Sequence, residues 1–215
     1  MTGDIREELG LVQIYTGNGK GKTTAALGLS LRAMGRGLNV LFFQFMKPDA
    51  GYGEQLACSG LDGITVISRG ADHFVSDPPS EGDVRLAKDA LSECAGLMGS
   101  GKYDLVVMDE AMNAVRLGLV SSAELISVLE SRPKHIEVVL TGRGMTPELE
   151  QYADLITEMR LVKHPMDVGI DARKGIEYRS HQSMAIGGCS PARKRLTTSS
   201  STTLAMSSTA SLPLS

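Results

Sequence analysis

Short apolar runs alternate with helix-type patterns along the first 180 residues. The runs are rich in Val, Ile, Leu and Phe, which predicts strands buried on both faces of a sheet. We expect strands at Leu11–Thr16, Leu38–Met46, Ile64–Ser68, Leu105–Met108 and Ile136–Leu140, with a further short one near Asp154–Leu161.

Helix signals lie between these predicted strands. Apolar spacing predicts helices over Ala25–Met34 and Glu81–Met98. Two further helices are expected where Ser121 opens a capping box and where Thr146 precedes a first-turn proline. This alternation predicts an α/β fold, a mostly parallel sheet with helices on both faces.

Composition divides the 215-residue chain into two regions. All 25 acidic residues lie in residues 1–180, whereas residues 181–215 hold fourteen Ser or Thr and no acid. A segment with so little apolar content cannot offset the entropy of ordering. We therefore expect one domain over 1–180 and a disordered tail over 181–215. The alternative is that Pro191–Arg195 forms a basic docking site.

The global features exclude several classes of protein. No apolar run approaches the length of a membrane span, and the polar N-terminus is no secretory signal. Three cysteines without a CxxC motif argue against a disulfide framework and suit a reducing cytoplasm. A net charge of −3 offers no general case for nucleic-acid binding.

The sharpest motif is a glycine-rich loop between the first predicted strand and the first predicted helix. Its glycines allow backbone N–H groups to surround phosphate, Lys22 would neutralise phosphate charge, and the Thr23 hydroxyl would ligate a divalent ion. Lys20 adds a second positive charge. The alternatives are a turn that merely caps a helix and a dinucleotide fingerprint, which the spacing fits less well. The predicted phosphate-binding residues are Gly17, Asn18, Gly19, Lys20, Gly21, Lys22, Thr23 and Thr24.

Two more predicted strands end in groups suited to a nucleotide site. The strand at Leu105–Met108 is followed by Asp109 and Glu110, an arrangement similar to the Walker-B element that supports Mg²⁺. Another strand is followed by a Thr-Gly-Arg-Gly turn whose Arg143 is a candidate for phosphate or ribose contact. Both could also be plain strand ends with exposed turns. His164, in a Lys-His-Pro loop, is interpreted as structural or substrate-positioning.

Taken together, these motifs resemble the P-loop type of ATP:corrinoid adenosyltransferase. The resemblance covers residues 9 to about 180 and includes a P-loop NTPase-like, RecA-like fold. It rests on the Gly-Asn-Gly-Lys-Gly-Lys-Thr-Thr loop, Gln-Phe-Met-Lys at 44–47, Val-Met-Asp-Glu at 107–110, Thr-Gly-Arg-Gly at 141–144 and Arg-Leu-Val-Lys-His at 160–164.

The resemblance implies transfer of the 5′-deoxyadenosyl group of ATP to the Co(I) centre of a corrinoid, with release of triphosphate. Because Co(I) is itself a strong nucleophile, Lys20 and Lys22 would act on the leaving group, and Thr23, Asp109 and Glu110 would hold Mg²⁺ or Mn²⁺. The family also implies a flavoprotein-type reductant, a homodimer, and cobyrinic acid diamide, cobinamide or cobalamin as the corrinoid. The rival interpretations are an ordinary P-loop ATPase or small-molecule kinase, and a non-catalytic nucleotide-binding regulator.

Two departures from the family pattern affect the expected corrinoid contacts. Only about ten residues precede the first predicted strand, so we expect the lid formed by a longer N-terminal segment in many members to be short or absent. Where some members use an aromatic pair to displace the lower cobalt ligand, this chain has Ala71 and His73. We expect Phe74 to act as the wedge on a mobile loop over Arg69–Asp77, the alternative being a contact between His73 and the cobalt.

Overall fold

Six parallel strands form one sheet in the computed structural model, which describes residues 4–173 and 175–176. The strand order is β3-β2-β4-β5-β1-β6, and every pairing is parallel. The predicted α/β fold is thereby confirmed. The predicted tail, residues 181–215, lies outside the described residues. The strands are β1 (Val12–Thr16), β2 (Val40–Phe45), β3 (Ile64–Arg69), β4 (Leu105–Asp109), β5 (Glu137–Thr141) and β6 (Leu155–Glu158).

Helices cover both faces of the sheet. One face packs against α1 through Ala26 and Ala33, which contact side chains such as Phe42 and Val107. The other face packs against α3, α4, α5 and α6, where Phe43 lies in the larger apolar core. The helices are α1 (Lys22–Met34), α2 (Gly53–Cys58), α3 (Glu81–Met98), α4 (Ala111–Arg116), α5 (Ser122–Ser131) and α6 (Pro147–Tyr152), with 3₁₀ helices at Ile5–Glu8 and Pro165–Val168.

The differences from the predicted elements are local. Helices α2 and α4 were not predicted, since six residues are too few to display a helical period. The equally short α6 was predicted because Thr146 and a first-turn proline open it, whereas Tyr52 and Glu110 precede the other two. The run predicted to end at Met108 continues as strand to Asp109, which is fully buried. Within the part of the chain that the structure describes, no helix is long and apolar enough to cross a membrane.

The sheet brings the chemistry-bearing loops to one edge. In a parallel sheet all strands end on the same side, and ligands bind outside those carboxyl ends. The loops after β1, β2, β4 and β5 therefore converge, because β1, β5, β4 and β2 are consecutive neighbours in the sheet.

Candidate active site

The glycine-rich loop leads directly from β1 into α1, as its sequence predicts. Gly17 and Gly21 have φ angles of 96° and 118°, a region that side chains rarely adopt, and Gly21 is the residue preceding the helix. The Lys22 ammonium donates hydrogen bonds to the carbonyl oxygens of Gly17 and Gly19, both at 2.8 Å. Burial, together with the charge of Arg143, lowers the pKa of Lys22. The loop thus holds a cation beside a helix N-terminus.

The same glycines also accommodate the segment after β6. A Cβ at Gly17 or Gly19 would lie 2.5 or 2.6 Å from the carbonyl oxygen of Met159, closer than real side chains approach. The backbone N–H of Gly19 donates to that same oxygen at 2.6 Å. These two glycines are therefore required by backbone packing, whatever ligand the loop binds. The sequence carried no signal for this contact.

Asp109 is the centre of a buried hydrogen-bond network beneath the loop. Its Oδ1 accepts from the hydroxyls of Thr23, at 2.8 Å, and Thr141, at 2.7 Å. Its Oδ2 accepts from the Lys47 ammonium at 2.8 Å and from the amide of Gln44 at 3.4 Å. Because the carboxylate is fully buried, these donors replace the water that would otherwise solvate it.

Lys47 follows β2 and lies between two acids. Its ammonium is 2.8 Å from Asp109 Oδ2 and 3.6 Å from Glu54 Oε1, and its side chain is 19% exposed. Burial acts to lower the pKa of Lys47, but the adjacent Asp109 and Glu54 carboxylates outweigh it and leave the pKa raised. The preceding Met46 has a φ of 57°, a strained conformation for a residue with a side chain. The Gln-Phe-Met-Lys pattern at 44–47 contributes to the family resemblance, but no feature of the sequence predicted that Lys47 would contact Asp109.

Glu110 immediately precedes α4 and lines the cavity beside the loop. It too has a left-handed backbone, with a φ of 66°, and its N–H donates to the Thr141 hydroxyl at 3.0 Å. Burial and the neighbouring Asp109 charge raise the pKa of Glu110. Asn113 donates its amide to Glu110 Oε2 and accepts from the backbone N–H of Arg143 at 2.7 Å. Asn113 therefore links the acid after β4 to the turn after β5.

These groups surround one cavity of about 950 Å³. Among the described residues, four cationic side chains line its walls, which suits a polyanionic ligand: Lys20, Lys22, Lys47 and Arg143. Carboxylates, neutral polar residues, glycines and apolar side chains make up the rest of the lining. The remaining lining residues are Asn18, Gly19, Gly21, Thr23, Thr24, Leu27, Tyr52, Gly53, Glu54, Ala57, Glu110, Leu161, His164, Met166, Asp167, Gly175 and Ile176.

Most of the predicted site residues line this cavity, and three do not. Gly17, at the start of the loop, is not among the lining residues, and Asp109 is buried beneath the loop. Phe74 lies outside the lining on the segment between β3 and α3, with 80% of the residue exposed. Its neighbour His73 contacts Asp83 Oδ1 at 3.1 Å through Nε2. His164 lines the cavity and caps a 3₁₀ helix, where its Nδ1 accepts from the N–H of Met166 at 3.2 Å.

The donor set fits a divalent cation carried in by a nucleotide. Among residues 4–173 and 175–176, no cluster of three or more His, Cys, Asp or Glu side chains is arranged to hold a metal alone. Mg²⁺ at nucleotide sites needs only one or two carboxylates, because phosphates and waters supply the other ligands. Thr23 lines the cavity, and its hydroxyl donates a hydrogen bond to Asp109. The lone pairs of the Thr23 hydroxyl oxygen therefore remain available to a cation in the cavity.

Comparison with known proteins identifies the family. Residues 8–178 match the family model described as ATP:corrinoid adenosyltransferase BtuR/CobO/CobP. The chain is 36% identical over 175 residues to corrinoid adenosyltransferase CobA of Salmonella typhimurium, covering 80% of this chain and 88% of that protein. It is 34% identical over 174 residues to the corrinoid adenosyltransferase of Pseudomonas aeruginosa, covering 80% and 86%.

The chain therefore belongs to the ATP:corrinoid adenosyltransferase family. The family membership expected from the motifs is confirmed, and with it the class of activity, ATP-dependent adenosylation of corrinoids by a transferase.

Proposed function

We propose that this chain transfers the 5′-deoxyadenosyl group of ATP to the Co(I) centre of a corrinoid and releases inorganic triphosphate. The observation that carries the proposal is the glycine-rich phosphate loop. Its Lys22 lines the same cavity as Glu110 and Arg143. The cavity volume, about 950 Å³, is large enough for ATP and part of a second substrate.

The task of the protein in this reaction is orientation and stabilisation of the leaving group. The reduced corrinoid attacks C5′ as the nucleophile, and the electron pair of the breaking C–O bond leaves with triphosphate. The Lys22 ammonium, now hydrogen-bonded to the carbonyls of Gly17 and Gly19, would exchange these partners for phosphate oxygens. Lys20, Arg143 and the loop N–H groups would spread the remaining charge.

The divalent cation in the proposal is Mg²⁺ or Mn²⁺. Thr23 would offer its hydroxyl oxygen, Glu110 its carboxylate, and Asp109 would act through the Thr23 hydroxyl or through water. Bound there, the cation supplies charge neutralisation to the triphosphate. Asn113 supports this arrangement by holding Glu110 through its side-chain amide.

The setting we propose follows from the family. A flavoprotein-type donor reduces the corrinoid, which is cobyrinic acid diamide, cobinamide or cobalamin, and the enzyme works as a homodimer in the cytoplasm. Cys58 and Cys94 are buried free thiols, which accords with a reducing compartment.

The decisive assay combines the protein with ATP, Mg²⁺ and chemically reduced corrinoid. The proposal requires the spectrum of an adenosylated corrinoid and one triphosphate for each corrinoid consumed. Release of orthophosphate or ADP with an unchanged corrinoid would identify an ordinary ATPase or kinase. ATP binding without any product would identify a regulator.

A matched pair of variants ties the activity to the loop. Lys22→Ala removes the phosphate-loop ammonium, whereas Lys88→Ala removes a half-exposed ammonium that pairs with Glu124 on the opposite face of the sheet. Loss of adenosylation in the first variant alone assigns the reaction to this cavity.

A further inference from the structure

The proposed function gives no role to the ion pair between Lys47 and Asp109. In nucleotide enzymes the carboxylate of the Walker-B element helps to hold a divalent cation. In this chain, however, Asp109 Oδ2 is already paired with the Lys47 ammonium at 2.8 Å. The other oxygen accepts two hydroxyls. A cation that approaches Asp109 Oδ2 therefore meets an occupied position.

The surroundings of Lys47 provide it with a second partner. Glu54 Oε1 lies 3.6 Å from the ammonium, and the Glu54 side chain is 21% exposed at the cavity wall. Lys47 also lines the cavity, so a short movement of its flexible side chain would take the ammonium from Asp109 to Glu54 or to a bound phosphate.

The backbone that delivers Lys47 is held in an unfavourable conformation. Among the described residues, Met46 and Glu110 are the non-glycine residues with positive φ, and both adjoin the Asp109 network. Such strain persists only where the surrounding structure enforces it, and it concentrates at functional sites. A purely solubilising lysine would need neither the strain nor the burial.

We propose that Lys47 is the resident counter-ion of Asp109 and competes with free divalent metal for that carboxylate. The metal then enters efficiently only as the metal–triphosphate complex, whose phosphate oxygens draw the ammonium away. Lys47 is thus a positioning residue that couples metal loading to nucleotide loading. This inference rests on the metal-binding part of the proposed function.

The test measures Mn²⁺ binding by electron paramagnetic resonance, with no corrinoid present. Without nucleotide, wild-type protein should bind free Mn²⁺ weakly. Lys47→Met should bind it at least about tenfold more tightly, because a positive charge next to the carboxylate has been removed. With inorganic triphosphate present, the difference between the two proteins should shrink to about threefold or less, since the displaced ammonium no longer opposes the metal.

Matched variants separate local from general effects. Lys88→Met removes the same charge on α3, away from the cavity, and should bind Mn²⁺ like wild type. Lys47→Arg retains a cation next to Asp109 and should also stay close to wild type. Equal free-Mn²⁺ affinity in wild type and a folded Lys47→Met protein would overturn the inference.

Two further measurements examine the competition between Lys47 and the metal. If Lys47→Met does not fold, wild type decides: free-Mn²⁺ affinity within about threefold of that with triphosphate contradicts the competition. In Lys47→Met combined with Asp109→Asn, the gained affinity must disappear, and its persistence would also refute the role of Lys47. Adenosylation by the wild-type protein tests the proposed function separately from these Mn²⁺-binding measurements.

Discussion

The Thr141 hydroxyl provides a sharp test of the buried network around Asp109. This hydroxyl donates to Asp109 Oδ1 at 2.7 Å and accepts the backbone N–H of Glu110 at 3.0 Å. Thr141 is the last residue of β5 and is fully buried. Thr141→Val replaces the hydroxyl by a methyl group of nearly the same size, so the change removes two hydrogen bonds while the packing remains.

The expected loss of stability follows from those two bonds. A hydrogen bond to a charged group contributes about 1.5–3 kcal/mol, and an unpaired buried N–H costs about 1–3 kcal/mol. Asp109 keeps the Thr23 hydroxyl, Lys47 and Gln44 as donors, so the lower half of the combined range applies. We expect the free energy of unfolding to fall by about 2.5–4 kcal/mol and adenosylation by at least about tenfold.

Urea unfolding followed by far-ultraviolet circular dichroism measures the stability change, since the chain contains no tryptophan. Thr65→Val is the matched control, because Thr65 lies in β3 with an exposed side chain and should stay within about 0.5 kcal/mol of wild type. Thr141→Ser retains the hydroxyl and should recover most of the loss. A Thr141→Val protein as stable as the Thr65→Val control would refute the account of the network.

Three further variants test the remaining assignments. Lys22→Ala should abolish adenosylation without unfolding the protein, because within the described part of the chain the ammonium donates to carbonyls of its own loop, those of Gly17 and Gly19; near-normal turnover of the folded variant would reject its role. Phe74→Ala should impair the reaction with Co(II) corrinoid and an enzymatic reductant more than with preformed Co(I), which has already lost its axial ligands; equal losses in the two assays would indicate simple substrate binding. Deletion of residues 181–215 should leave the melting temperature and turnover nearly unchanged, since this segment has little apolar surface to bury; a large fall in either would show that the tail docks.

Local features of the chain could be predicted from the sequence alone. Strands such as β2 appear as apolar runs because both faces are covered, and α3 appears through its apolar spacing. The phosphate loop is equally local, since glycines with positive φ and a following Lys-Thr pair lie within a few positions of each other. Conformation at this scale depends on neighbouring residues, so the loop could be predicted from its own motif. The family resemblance needed the other motifs as well, such as Arg-Leu-Val-Lys-His at 160–164.

The order of the strands in the sheet determined the contacts between distant segments of the chain. Because β2 lies beside β4, Lys47 reaches Asp109 across 62 sequence positions, and because β1 lies between β5 and β6, Met159 packs on the glycines of the loop. Thr141 and Asn113 likewise acquired their roles only when β4 and β5 became neighbours. The sequence determined which groups stand at strand ends and what each can do chemically. The tertiary structure alone decided which of them meet, because hydrogen bonds and ion pairs between distant segments depend on strand order, and no local pattern of residues encodes that order.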